Sequence, residues 1–372
     1  MADILEQAMR VINSTATEEK NTTNALTLGL GFHKFDGNIS VNEVINQIGA
    51  NFEVREDKIV RLPQDQIEAI LRGEQISIDP NCIIDTHKAT VCVEKNKTIG
   101  VVGESYGTIQ NTTCFDLIDM MCNSSVNQDP LKIVSAGLVH DFEPYIQAEL
   151  PTIGRIDGDK SETKFYIFAH TSHDGTSGLQ IRFSPVRVIC QNTFMQNVTS
   201  KLGLTFKHSR YAPQRFDFTK QTNITAIQEK LRKLVLFSED YINQMNAFKL
   251  AKVNDTDIEN YVLNLFVDKE DLKRQIKLHN YNLDLVDDLS TRTKNIITDF
   301  KNTLYSDDLG QDFAQGTKLW LFNGTTNYLS NTASYGNAKK DDTLTLATKR
   351  FDSMLNGSAN KKMEKAMELL VA

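Results

Sequence analysis

The spacing of apolar residues changes near residue 222, and this change limits the folds that the chain can adopt. Before it, runs such as HKATVCVEK at 87–95 alternate apolar and polar side chains, as strands with one buried face do. Beyond it, apolar residues recur at three- and four-residue steps: Ile224, Ile227, Leu231, Leu234, Tyr241, Met245 and Phe248. The sequence therefore predicts an α+β protein with a mainly antiparallel sheet, packed helices and a mostly helical C-terminal region.

Turn and capping residues divide this pattern into elements. A β-hairpin is predicted between about residues 83 and 110, with its turn at Lys95-Asn96-Lys97, and Asn111 offers N-cap chemistry for a following helix. Further strands are predicted at 52–62, 132–150, 163–170 and 178–189, the last two joined by the turn SHDGTSG. Other helices are predicted at 41–48, 224–248, 256–267, 289–305 and 343–370, whereas KLWLFNGTTNYL at 318–329 is predicted to be strand-like or irregular and 331–342 a surface loop.

The length of 372 residues exceeds what a single hydrophobic core usually serves. Three units are predicted from the changes in pattern. They are an N-terminal α/β unit at 1–80, a sheet-containing core with a basic segment at 81–222, and a mainly helical region at 223–372.

Charge and cysteine content indicate the cellular setting. The net charge is −7, so binding of nucleic acid would need a local basic patch. Five scattered cysteines predict reduced thiols in the cytoplasm. The first residues, MADILEQAMRVINS, indicate an amphipathic helix and no signal peptide, and no run of about 18 apolar residues predicts a membrane span.

Several enzyme signatures are missing from the sequence. It contains no G-x-x-x-x-G-K-[ST], Cys-x-x-Cys or H-E-x-x-H motif, and Gly29-Leu30-Gly31 lacks the third glycine of a dinucleotide site. No cofactor is therefore predicted, and a non-enzymatic role is favoured over an enzymatic one.

Residues 182–220 reverse the sign of the chain's charge, with seven cations against Asp217, a net charge of +6. Aromatic residues are interleaved with these cations, a combination that allows phosphates to be bound while bases stack. The alternative is a solvated face over a core that contains the same aromatics. The predicted phosphate contacts are Arg182, Arg187, Lys207, Arg210 and Arg215, and the predicted stacking residues are Phe206 and Tyr211.

A second polar constellation lies around the turn at 170–178. His170, His173 and Asp174 could bind a metal or a phosphate, or they could belong to an ordinary hairpin turn. Cys190, with His173 and Asn192, offers a nucleophile, a base and an orienting amide, although free cysteine is more often a small buried hydrophobe. The need for a metal stays open.

Several short motifs resemble one family. They are VVGESYGTIQN at 101–111, His173-Asp174-Gly175, RVICQNT at 187–193, and Gly316-Thr317 followed by Trp320, Asn323, Thr326 and Tyr328. Over about residues 90–370 the chain resembles the phage/plasmid-like proteins known as domain of unknown function 932. The resemblance implies a mobile-element setting in the cytoplasm of a host cell, and it implies no activity.

Two classes of function follow. The favoured hypothesis is a non-enzymatic protein that binds nucleic acid, with single-stranded DNA preferred, during recombination or replication, and that forms a homo-oligomer without contacting a membrane. The alternatives are a metal- or thiol-dependent enzyme built around His173, Asp174 and Cys190, or a phage assembly or host-interaction protein.

Overall fold

The computed structural model describes residues 33–35, 39–122, 131–187, 192–193, 205–210, 221–267, 270, 289–306, 311–336, 343–355 and 357–371. Its strands are β1 (His33–Lys34), β2 (Val54–Val60), β3 (Ile83–Cys92), β4 (Lys97–Gly103), β5 (Lys132–Val139), β6 (Glu143–Gly154), β7 (Thr163–His170), β8 (Leu179–Arg187), β9 (Asn192–Thr193) and β10 (Thr205–Phe206). Its helices are α1 (Val41–Gln47), α2 (Gln64–Leu71), α3 (Asn111–Cys122), α4 (Gln221–Leu250), α5 (Asp255–Phe266), α6 (Thr291–Leu304), α7 (Lys318–Asn327), α8 (Thr343–Leu355) and α9 (Ser358–Val371). The α+β prediction is confirmed.

A small antiparallel sheet has the order β2-β3-β4. The predicted hairpin is confirmed, because β3 pairs with β4 in a register that places Cys92 opposite Lys97. Asn96 adopts the left-handed conformation (φ 46°) that its short polar side chain tolerates in such a turn. Since β2 pairs with β3, hydrogen bonding crosses the unit boundary predicted at residue 80.

The large antiparallel sheet has the order β1-β5-β6-β7-β8-β10, with β9 also paired to β8. The range predicted as strand at 132–150 forms two strands, β5 and β6, because His140 and Asp141 both have positive φ and reverse the chain. Pro185 lies opposite Phe165 of β7. On the other side of β8, the described pairing involves Leu179 and Gln180 with β10, and Val186 and Arg187 with β9, so the proline falls between them.

Helices cover both faces of the large sheet. One face carries Ile146, Phe165 and Phe183, which pack with residues of α1 and α3 such as Val44 and Phe115. The opposite face carries Tyr145 and Phe168, which pack against Phe351 of α8 with ring centroids 5.6 and 5.7 Å apart. The sheet is therefore buried on both sides, unlike most antiparallel sheets.

The prediction for residues 318–329 was wrong, since most of this segment forms α7. Thr317 caps the helix, because its Oγ1 accepts a hydrogen bond from the backbone N–H of Trp320 (3.3 Å). Every residue from Leu319 to Asn327 is buried. A helix that is buried all round shows no apolar stripe, so its sequence lacks the helical period that marks the other helices.

The helices predicted at 41–48, 224–248, 256–267, 289–305 and 343–370 are confirmed, the last divided into α8 and α9 around Gly357. The amphipathic helix predicted at the first residues lies outside the described residues. Of the loop predicted at 331–342, residues 337–342 lie outside the described residues. The described helices include none that is long and apolar enough to cross a membrane.

Leu319 and Leu250 offer a matched test of the helical core, because Leu319 is fully buried and Leu250 is 81% exposed. We expect Leu319→Ala to lower the free energy of unfolding by about 2–5 kcal/mol, since it removes buried methyl groups and leaves a cavity. Leu250→Ala should change it by less than about 0.5 kcal/mol. Urea titration followed by circular dichroism measures both, and equal losses would contradict the packing described for α7.

Candidate functional site

A groove of about 900 Å³ lies where the small sheet meets the large one. Its walls are the end of β4 with the loop that follows, the turn between β7 and β8, and the segment from Lys207 to Arg210 after β10. The lining residues are Val101, Val102, Gly103, Glu104, Ser105, Tyr106, Asp174, Gly175, Thr176, Lys207, His208, Ser209 and Arg210. We call this cavity the groove.

Glycines allow the segment 205–210 to lie directly against its neighbours. A Cβ atom on Gly107 would stand 2.6 Å from the carbonyl oxygen of Ser209, and one on Gly178 would collide with the carbonyl oxygen of Phe206. The backbone N–H of Arg210 also donates to the carbonyl of Ser105 (3.3 Å). Backbone contacts therefore fix the wall that carries the groove's cations.

His208 anchors the same segment from inside. Its Nδ1 accepts a hydrogen bond from the backbone N–H of Ile109 (3.2 Å), and its Nε2 lies 3.1 Å from Thr171 Oγ1. Because a neutral imidazole that accepts at Nδ1 is protonated at Nε2, Nε2 donates to Thr171. Tyr106 stacks on the ring, with centroids 5.1 Å apart.

His173 lies beneath His208 and is fully buried, although the sequence placed it in a turn. Its Nε2 is 2.8 Å from Asn111 Oδ1, while Asn111 Nδ2 donates to the carbonyl of Ala50 (3.0 Å), which fixes the amide orientation. The His173 and His208 rings are 5.0 Å apart. His173 thus joins α3 to the β7–β8 turn, and its carbonyl accepts a hydrogen bond from Thr90 Oγ1 of the small sheet (2.6 Å).

Burial determines the charge of both histidines. It lowers the pKa of His173 to about 3, with a further contribution from neighbouring His208, and it lowers the pKa of His208 to about 4. Both rings are neutral at neutral pH. Among the described residues, no group of three or more His, Cys, Asp or Glu side chains is placed to hold a metal ion.

Asp174 stabilises the turn that forms one wall of the groove. Its Oδ1 accepts hydrogen bonds from the backbone N–H of Thr176 (2.9 Å) and from Ser172 Oγ (2.7 Å). Burial raises the pKa of Asp174, but these hydrogen bonds outweigh burial and hold it below its ordinary value. The carboxylate therefore stays ionised and directs one oxygen to its own turn.

The other predicted polar residues do not join His173 in the described structure. His170 is buried on the opposite side of the large sheet, where its Nε2 lies 3.2 Å from Glu143 Oε2. Asn192 is described only through its backbone pairing with Arg187, and Cys190 lies outside the described residues. Cys114, which the sequence did not single out, is buried beside Thr171, and burial raises its thiol pKa to about 12.

The predicted phosphate contacts divide into two groups. Lys207 and Arg210 are exposed on the groove wall, and the ion pair of Arg210 with Glu104 is long (3.7 Å) and exposed. Arg182 is only 3% exposed and donates to Gln180 Oε1 (2.5 Å), so its side chain is enclosed and does not lie on the groove wall. Burial lowers its pKa to about 10.

The predicted stacking residues are also placed differently from one another. Phe206 is partly buried against the core beneath the large sheet, which leaves only part of its ring accessible. The side chain of Arg187, together with Tyr211 and Arg215, lies outside the described residues.

The segment GESYG at 103–107, whose first four residues line the β4 end of the groove, was singled out in the sequence only as part of a family motif and not as a site. This segment has the G-x-S-x-G spacing of α/β-hydrolase nucleophiles, which could have drawn attention to it. Its context differs from a nucleophile elbow, because the small sheet is antiparallel and α3 begins only at Asn111. Both ring nitrogens of His208 contact Thr171 and Ile109, so this histidine does not serve Ser105 as a base.

The fold and the groove define an α+β protein with a two-sided sheet and a polar groove at its end. The sequence profile of the family described as domain of unknown function (DUF932) matches residues 98–355. The chain therefore belongs to this family, and the match covers β4, α3, most of the large sheet and α8. Comparison with curated proteins and with solved structures gives no significant match.

The buried histidines predict loss of stability in mild acid. In the folded protein the pKa values of both histidines lie below the ordinary value of 6.5. Their contribution to the free energy of unfolding is therefore complete above pH 6.5, and it is lost as the pH falls toward about 4 for His208 and about 3 for His173. At pH 5 each of the two histidines should have lowered the free energy of unfolding by about 2 kcal/mol. We expect His208→Gln to lose about 2 kcal/mol less than the wild type between pH 7 and pH 5 in urea titrations. An identical pH dependence in the two proteins would contradict the buried neutral ring.

The close backbone approach at the groove predicts an effect of Gly178→Ala. The added methyl group would collide with the Phe206 carbonyl and displace the segment 205–210. We expect faster amide hydrogen exchange at 205–210 and a loss of at least about 1 kcal/mol of stability. Gly103→Ala is the control, because a Cβ atom there meets nothing within 4 Å. Unchanged exchange in Gly178→Ala would contradict the described contact.

Proposed function

We propose that this protein binds single-stranded nucleic acid in the groove without catalysing a reaction. The observation that carries the proposal is the position of Lys207 and Arg210, which are exposed on one wall of a cavity of about 900 Å³. Cations along a groove bind the phosphate backbone, and apolar or aromatic surfaces beside them accept bases.

The composition of the groove supports this division of roles. Tyr106, which is partly buried, and Val101, which is 59% exposed, supply aromatic and apolar surface. Lys207 and Arg210 lie on the opposing segment, so phosphates would bind there while bases contact the β4 side. Stacking of Tyr106 on His208 holds its ring in place before ligand arrives.

The state of His208 favours binding over proton transfer. A general acid or base works best with a pKa near the operating pH, and the pKa of His208 is lowered to about 4. Both of its ring nitrogens already hold hydrogen bonds within the protein. The ring therefore acts as a fixed part of the groove wall.

The biological setting extends the proposal. We propose further that the protein acts in the cytoplasm of a host cell that carries a phage or plasmid, a setting that the motif resemblance favours. There it would hold or anneal single strands during recombination or replication, and its free form would be a homo-oligomer. The sequence of the basic segment at 182–220 includes two further predicted phosphate contacts, Arg187 and Arg215.

Charge reversal tests the groove directly. We expect Lys207→Glu with Arg210→Glu to weaken binding of a labelled single-stranded oligonucleotide at least tenfold. The slope of log affinity against log salt should fall in magnitude by about 1.4, because two phosphate contacts are lost. Fluorescence anisotropy at several salt concentrations measures both quantities.

A matched control separates the groove from overall charge. Lys294→Glu with Lys361→Glu changes the net charge by the same amount on α6 and α9, away from the groove-lining residues. Binding by this variant should stay within about threefold of the wild type. The proposal is wrong if the wild type does not bind the oligonucleotide at low salt, or if both double variants bind equally well.

A further inference from the structure

The connection between β2 and β3 carries an exposed apolar surface. We call residues 63–79, which include α2, the arm. Ile67, Ile70 and Leu71 follow helical spacing on one side of α2 and are 38, 45 and 80% exposed, and no residue of α2 is buried. Ile78 is 49% exposed as well. Such a concentration of large apolar side chains on a surface marks an interaction site.

The arm is ordered at its base even though its apolar side chains are uncovered. The backbone N–H of Arg61 donates to the carbonyl of Cys82 (2.8 Å), which closes the connection where it leaves the small sheet. Asp79 accepts from the backbone N–H of Asn81 (2.9 Å) at the return. The arm is therefore a defined projection with a shape that a partner can recognise.

Acidic residues surround this apolar surface. The arm carries one cation, Arg72, against four carboxylates, Asp65, Glu68, Glu74 and Asp79, a net charge of −3. Arg72 is paired with Glu74 at 2.6 Å. Two arms would repel one another, so the partner surface of the arm must be apolar and carry cations.

The groove has this complementary character. Exposed Val101 and partly buried Tyr106 supply apolar surface, and the cations Lys207 and Arg210 are exposed beside them. The lining also holds two carboxylates: Glu104, whose ion pair with Arg210 is long and exposed, and Asp174, which accepts hydrogen bonds from its own turn. An amphipathic helix that places an apolar face in a groove and its carboxylates against the rim is a common mode of recognition. A volume of about 900 Å³ is large enough for several aliphatic side chains.

We propose that the arm of one copy of this protein docks in the groove of a second copy. The arm leaves the small sheet beside the groove, since the backbone N–H of Glu104 donates to the carbonyl of Thr86 near the start of β3 (3.0 Å). Within its own chain the arm nevertheless stays exposed. Because the two surfaces differ, the contact is head-to-tail and can extend to a ring or a filament.

This contact occupies the same groove as the proposed nucleic-acid site, so it rests on that groove and adds a means of regulating it. The acidic arm and the phosphate backbone compete for Lys207 and Arg210. Nucleic acid therefore displaces a neighbouring arm, and self-association decreases as the groove fills.

Sedimentation velocity of the full chain at low salt, without nucleic acid, tests the contact. We expect the wild type to sediment as species larger than one chain and to dissociate as salt is raised. Ile70→Glu with Leu71→Glu should weaken self-association at least tenfold. The control is Ile153→Glu with Leu250→Glu, which changes side chains that are 57 and 81% exposed elsewhere, and it should associate as the wild type does.

Complementation distinguishes this contact from any other interface. The arm variant and the groove variant, Lys207→Glu with Arg210→Glu, should each sediment as single chains. Mixed in equal amounts they should form dimers and nothing larger, because one intact groove and one intact arm remain in the mixture. A monomeric wild type, an arm variant that associates normally, or a mixture that stays monomeric would overturn the proposal.

The two proposals fail separately. Self-association is measured without nucleic acid, so it stands even if no oligonucleotide binds the groove. Oligonucleotide binding can in turn be measured on the monomeric arm variant, in which the groove is intact and open. Addition of oligonucleotide to the wild type at low salt should lower the amount of species larger than one chain. An increase in their amount would contradict competition for the groove.

Discussion

Burial of both faces of the large antiparallel sheet is the constraint on which the rest of the structure depends. Helices α1 and α3 cover one face and the C-terminal helices cover the other, so the sheet can expose polar groups only at its ends. Side chains such as Arg182 and His170, which would be solvated on an open sheet, are enclosed and held by Gln180 and Glu143. The position of the groove at one end of the sheet follows from this arrangement.

Within the described ranges the two sheets share no paired strands, and a column of rings links them. His208 contacts Tyr106 on one side and His173 on the other, and His173 lies edge-on to Phe52 of the small-sheet region. Neutral imidazoles suit this place because they donate and accept hydrogen bonds in a dry interior without the cost of a buried charge. The groove thus depends on the protonation state of His208 in its wall and of the fully buried His173 behind it.

The sequence predicted the fold where local pattern and tertiary packing agree. Alternation located β3 and β4, and the helical stripe located α4, because each of these elements buries one side. The sequence pattern did not predict α7, because this helix is enclosed on all sides, and it did not divide 132–150 into two strands. Of the candidate site, it identified Lys207 and Arg210 through their charge, but charge alone could not separate them from the buried Arg182.

By itself the sequence determined the α+β class, the order of most elements, the membership suggested by its motifs and the place where charge reverses along the chain. Only the tertiary structure decided that His173 is a buried link, that GESYG and the segment 205–210 face one another across a groove, and that the arm stays uncovered. The physical reason is that periodicity and charge are properties of neighbours along the chain. Burial and groove walls arise from residues such as Gly107 and Ser209, or Asn111 and His173, that only folding brings together.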